Sequence, residues 1–140
     1  TKGTLMTTRA KTFDYTVAVD LSGSMTADGV APIAPDAAWT PEHLVLAGLC
    51  QCSLKSLEYA ASRGGSTASG TASASGVVTR REDDGRFALV TVDVHLVVTV
   101  DPPPADLAKL LQFAEKGCFV GASLKATPSY HWTVNGSAVD

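Results

Sequence analysis

The stretch "TPEHLVLAGLCQCSLKSL", Thr40 to Leu57, constrains the fold of this chain more than any other. Thr40 is a good N-cap, Pro41 suits the first helical position, and Glu42 favours the positive end of a helix dipole. From Pro41 to about Ser62 only Gly48 interrupts the helical pattern, at a cost of ~1 kcal/mol against alanine. Leu44, Ala47 or Gly48, Cys52, Leu57, Ala60 and Ala61 share one broad apolar face. Leu46, Leu49, Cys50 and Leu54 carry apolar character further round. A helix apolar on nearly all sides belongs at the centre of a molecule, covered by more than one neighbour. Ala47 and Gly48 are small enough to let another backbone come close.

The flanking segments supply strands. Phe13, Tyr15, Val17 and Val19 alternate with Asp14, Thr16 and Ala18, the period of a half-buried strand, and a second β-prone run precedes Arg9–Lys11. "SGSMTADGVAPIAPDAAW", rich in Gly, Pro and Asp, reads as a long loop. After Arg63, "GGSTASGTASASG" has no large side chain to pack and reads as a flexible loop. Strand signals resume at Val77–Arg81, turn at Asp83–Gly85, and continue through Arg86–Val100, where Asp-Gly supplies the positive φ of a tight hairpin. "ADLAKLLQFAEKG" predicts a helix stopping at Gly117, "CFVGASLKA" a short second helix, and "SYHWTVNG" a closing strand and turn. Strands, long helix, hairpin, helices and strand in that order predict an α+β class in a single domain, residues 1–140.

Composition narrows the function. With 45% hydrophobic and 18% charged residues this is ordinary globular material, and a net charge of −3 argues against a nucleic-acid partner. No apolar run reaches membrane-spanning length, so no membrane partner is expected. The opening residues show no basic-then-apolar leader, and three cysteines cannot all pair within one chain. A reducing cytoplasm is the expected setting, where a thiol serves packing, metal or chemistry.

Residues two apart on a helix point about 200° from each other. Cys50 and Cys52 therefore can neither ligate one ion nor bond to each other while the helix is intact, and no second ligand pair completes a zinc set. At most one of them works with Cys118. A free cysteine is most often a small buried hydrophobe, but Cys118 follows Gly117 at the start of a predicted helix, where a dipole stabilises a thiolate. His43, His95 and His131 read as surface or structural residues.

"TPEHLVLAGLCQCSL" resembles the Pro-Glu-x-Leu…Cys helix of the OsmC/Ohr family of thiol peroxidases, "AEKGCFVGASL" its second cysteine segment, and "YHWTVNG" its closing strand. The resemblance implies an OsmC-like fold, with a long central helix on a strongly bent antiparallel sheet, in an intertwined homodimer. The family's peroxidatic cysteine stands eleven residues after the motif proline, and eleven residues after Pro41 is Cys52. Cys118 matches the resolving cysteine and Glu42 the motif glutamate; Arg9, at the predicted N-terminal hairpin turn, matches the arginine that lowers the thiolate pKa. Arg9 also reads as a solvated turn charge, and Glu42 as a helix-dipole residue only. Glu42 lies ten residues before Cys52, about 15 Å along a straight helix. Sharing one site thus requires a displaced helix start or a partner subunit. The implied activity is reduction of organic hydroperoxides by Cys52, resolution by Cys118 and reset by an external dithiol, with no cofactor. Leu44, Leu49, Phe119 and Trp39 are the apolar candidates that would favour alkyl peroxides. The alternative is a non-enzymatic domain of the same fold, binding a small apolar ligand, with inert cysteines.

Overall fold

The computed structural model describes residues 10–139. They form two compact units that divide between Thr40 and Pro41. The first is an antiparallel three-stranded meander of β1 (Val17–Val19), β2 (Met25–Ala27) and β3 (Val30–Ile33). The expected long loop after Ser22 therefore holds a hairpin. Asp28 and Gly29 take φ of 33° and 78°, the left-handed pair that a two-residue turn requires. Pro32 is accommodated because β3 is an edge strand. The first strand is shorter than the alternation from Phe13 predicts, and Phe13, Tyr15, Val17 and Val19 are exposed in the single chain. Arg9 and the β-prone run before it lie outside the described residues.

The second unit opens with α1, one unbroken helix Pro41–Arg63, as its caps predict. It is followed by β4 (Thr67–Arg80), β5 (Phe87–Asp101), α2 (Leu107–Lys116), α3 (Phe119–Ser123), β6 (Ser129–Val134) and β7 (Ser137–Val139). The sheet order is β4-β5-β6-β7. The β4–β5 and β6–β7 ladders are antiparallel, whereas β5–β6 is parallel, because α2 and α3 carry the chain back across the sheet between them. The class is α+β, as expected, with a sheet that is mixed rather than wholly antiparallel.

The Gly/Ser/Thr/Ala tract is not a loop: most of it is the first two-thirds of β4, paired residue by residue with β5 from Thr67↔Asp101 onward. Its alternation is written in small residues. Ala68, Ala72 and Ala74 pack on the core and share their face with Gly70 and Gly76, while Ser69, Thr71, Ser73 and Ser75 point outward. Gly70 (φ 145°) has no room for a side chain, since a Cβ would strike the Val97 carbonyl and lie 2.7 Å from the Val98 Cα.

The core is lined on α1 by Leu49, Ser53, Leu57 and Ala61, one residue per helical turn. Facing them are Val92, Val94, Leu96, Val98 and Val100 of β5, Leu111 and Ala114 of α2, and Trp132 and Val134 of β6. Asp106 caps α2 by accepting from the Lys109 amide. Gly117 ends it for reasons of space, as its φ is −82° and a Cβ there would lie 2.7 Å from Ser56 Oγ.

Candidate active site

Cys52 sits mid-way along α1 and is half-buried; Cys50, two residues earlier, is also half-buried, and burial alone pushes its thiol pKa up. Cys118 stands between α2 and α3, fully buried at 0% exposure. Two features bring that loop onto α1. Ser56 Oγ donates to the Ala114 carbonyl at 2.6 Å, and Gly117 packs directly against Ser56. Cys118 then caps α3 with its sulfur, which accepts the Gly121 amide N–H at 3.4 Å.

The Cys52 and Cys118 thiols are neighbours. Burial pushes the Cys52 thiol up, and the adjacent Cys118 pushes the same way. The backbone amides of Val120 and Phe119 pull it down, being donors that favour a thiolate. Cys52 thus faces the first turn of α3 and the buried sulfur at its start, and Cys50 does not share this arrangement.

Two hydroxyls that the sequence did not single out complete the cluster. Ser53 lies on the buried line of α1, donates to the Leu49 carbonyl at 2.8 Å, and places its oxygen 3.6 Å from Cys118 Sγ. Tyr130, on the inward face of β6, reaches the same point: a Cβ on Gly121 would lie 2.6 Å from its hydroxyl and 3.3 Å from Cys118 Sγ. Its hydroxyl is pushed well above the ordinary tyrosine range, first by burial, then by Cys118, with the charge of Glu115 adding to this and Ser53 opposing it. Glu115 is held by the Trp132 indole N–H at 2.8 Å. A helical wheel would have found Ser53, which stands four residues from both Leu49 and Leu57; only period-2 alternation through Trp132 and Val134 hints at Tyr130.

Glu42 is exposed in the first turn of α1, on the same continuous helix as Cys52 and more than two turns away. His95 and His131 stack at 4.4 Å on the outer face of the sheet, with His131 3.1 Å from Asp93, across the sheet from the cysteines. No group of three or more His, Cys, Asp or Glu side chains among the described residues is placed to hold a metal. Among them, too, no helix is long and apolar enough to cross a membrane. A concavity of about 210 Å³ lies between α1 and β4, lined by Gln51, Leu54 and Lys55 among others, and one of about 490 Å³ lies by Arg81 and Lys125; neither includes Cys52 or Cys118.

No curated protein sequence matches this one significantly. Solved structures share the fold. An OsmC-like protein from Mycoplasma pneumoniae aligns with TM-score 0.66 at 20% identity, over 90% of this chain and 99% of the other. The organic hydroperoxide resistance protein OhrB of Bacillus subtilis aligns with TM-score 0.53 at 23% identity, over 89% and 98%. An organic hydroperoxide resistance protein from Elizabethkingia anophelis aligns with TM-score 0.55 at 19% identity, over 91% and 98%. At such identities structure speaks for fold alone, but the sequence profile described as OsmC-like protein matches residues 34–133, spanning α1, both cysteine segments and nearly all of β6. On that match the chain belongs to the OsmC-like protein family.

Proposed function

We propose that the protein is a thiol peroxidase that reduces organic hydroperoxides to alcohols. The observation that carries this reading is the meeting of a half-exposed Cys52 thiol with a buried Cys118 thiol from a distant part of the chain. Such a pair suits a two-step cycle. The Cys52 thiolate attacks the terminal peroxide oxygen, the O–O bond breaks, the alkoxide takes a proton and leaves as alcohol, and Cys52 becomes a sulfenic acid. The Cys118 sulfur then forms the S–S bond as the S–O bond breaks and water leaves. An external dithiol reduces the disulfide and restores both thiols.

Burial raises the Cys52 pKa, so attack at neutral pH requires a cation nearby. Arg9 is the residue to supply it, held by Glu42. Because α1 is unbroken, Glu42 and Cys52 of one chain stay about 15 Å apart, which favours a homodimer in which Glu42 serves the partner's Cys52. Exposed Phe119, next to Cys118, gives the site an apolar wall suited to alkyl peroxides. A reducing cytoplasm would keep the thiols ready.

Cumene hydroperoxide consumption with dithiothreitol as reductant tests this. Wild type should turn over and Cys52→Ser should lose at least 100-fold of the rate, roughly the scale of removing a catalytic group. After a mild peroxide pulse two thiols should disappear while Cys50 remains titratable. Equal, slow consumption by both proteins overturns the reading and leaves a binding domain with inert thiols.

A further inference from the structure

The surroundings of Cys118 contain more than a cysteine pair needs. Its sulfur, inaccessible to solvent, meets an amide from α3, a hydroxyl from α1 and a phenol from β6. Ser53 gives its proton to the Leu49 carbonyl, so its oxygen faces the Cys118 thiol as an acceptor. The Tyr130 hydroxyl and Cys118 Sγ crowd the same Gly121 α-carbon, which tolerates them only because it lacks a Cβ. Burying two hydroxyls is costly unless they are paired, and alanine and phenylalanine would fill the same places without that cost. Packing alone does not explain them.

We propose that Ser53 and Tyr130 are a positioning pair for Cys118, holding its sulfur toward Cys52 and setting the rate at which the disulfide closes. This rests on the peroxidase reading above. In the closing step the Cys118 S–H proton passes to the sulfenic hydroxyl of Cys52, the sulfur's electron pair forms the S–S bond, and the oxygen leaves as water. As its proton departs, the sulfur gains negative charge where water cannot reach it. The Gly121 N–H and the Tyr130 O–H are then the donors at hand, and the Ser53 hydroxyl joins them on turning from the Leu49 carbonyl. Tyr130 is suited to donate because burial first, then Cys118 beside it and more weakly the Glu115 carboxylate, favour the protonated phenol. Among the described residues, the titratable groups facing this sulfur are Cys52 of α1 and Tyr130 of β6, with Glu115 of α2 acting on Tyr130.

The test compares wild type, Tyr130→Phe and Ser53→Ala after one equivalent of cumene hydroperoxide, by rapid quench. Sulfenic acid is trapped with dimedone, and free thiols are counted by mass spectrometry. Sulfenic acid formation at Cys52 should stay within about twofold of wild type, while closing slows roughly 10-fold or more, the scale of a hydrogen bond to a charged group. Slowing confined to closing is what a general packing defect, which would disturb both steps, does not produce. Unchanged closing overturns the proposal, as does equal slowing of both phases. Should Tyr130→Phe fail to fold, Ser53→Ala, a good helix former in mid-helix, carries the comparison alone. If cumene hydroperoxide leaves wild-type Cys52 reduced, the peroxidase reading fails, and diamide, which closes a dithiol without peroxide, replaces it. Slower diamide closing in the variants then sustains the positioning role by itself, and equal closing removes it.

Discussion

Gly121 is where the three parts of the cluster touch. A methyl group there would lie 2.6 Å from the Tyr130 hydroxyl, 3.3 Å from Cys118 Sγ and 3.5 Å from Leu49 Cδ1, all in buried surroundings. The phenol stacks beside Trp132 with ring centroids 6.4 Å apart, so its retreat would disturb that packing as well. Gly121→Ala should therefore destabilise the protein by about 1–3 kcal/mol, the usual cost of overpacking a filled core. Urea titration checks this, and a change below ~0.5 kcal/mol would mean that the cluster has slack. Residue identity alone carried part of this site. That Cys50 and Cys52 diverge follows from helical geometry and holds in any fold, so it was readable. That Ser53 and Tyr130 meet Cys118 depends on how α1, α3 and β6 come together, and no local pattern encodes such a meeting.

Among the elements, α1 was legible from its capped start at Thr40 and Pro41 and its long unbroken run, and β5 and α2 from their periods and from the turn at Asp83–Gly85 and the stop at Gly117. β4 was not. Glycine, serine and alanine are poor strand formers, and the segment becomes a strand because β5 pairs with it and α1 lies close on its small-residue face. The hairpin of β2 and β3 carried the same Asp-Gly signal as the β4–β5 turn, but Gly and Pro around it outweighed two very short strands. At the β4–β5 turn the charges do the fastening. Asp84 pairs with Arg81 at 2.6 Å and accepts the Arg86 amide at 3.0 Å, while Lys125 reaches Asp83 at 2.8 Å. The Arg81 contact, with the Arg86 amide behind it, lowers the Asp84 carboxyl from its ordinary 3.8 to about 2. A carboxyl lowered on folding contributes stability that is fully present above its unfolded pKa and is lost as pH falls through its folded one. Asp84→Asn should thus be less stable than wild type by a constant margin above pH 4, and the margin should close between about pH 4 and pH 2. Urea midpoints of both proteins across that range measure it; a margin independent of pH would show that the charge does nothing.

At the scale of the whole molecule, one chain leaves its parts under-covered. No residue of the three-stranded unit from 10 to 40 is buried, although it carries Phe13, Tyr15, Val17, Val19 and Ile33. A small sheet of that kind gains its stability by packing on something else. On the other unit Val45 of α1 and Phe113 and Phe119 of α2 and α3 are exposed as well. A homodimer would cover such surfaces and would give Glu42 a Cys52 to serve on the partner subunit. Subunit mixing distinguishes this from action within one chain. Cys52→Ser keeps Glu42 but has no nucleophile, and Glu42→Gln keeps the nucleophile but has no carboxylate, so each homodimer should be nearly inactive toward cumene hydroperoxide. In a mixed dimer the Cys52 of one subunit faces the Glu42 of the other, and one of its two sites is whole. Unfolding and refolding an equal mixture makes half the dimers mixed if subunits associate at random, so about a quarter of wild-type activity should return. If Glu42 acted within its own chain, the mixed dimer would have no complete site and the mixture would stay as inactive as its parts. Tagging the two variants differently and isolating the mixed dimer sharpens the expectation to about half of wild-type activity. It also shows, by whether such a dimer can be isolated at all, that association and catalysis are being read separately.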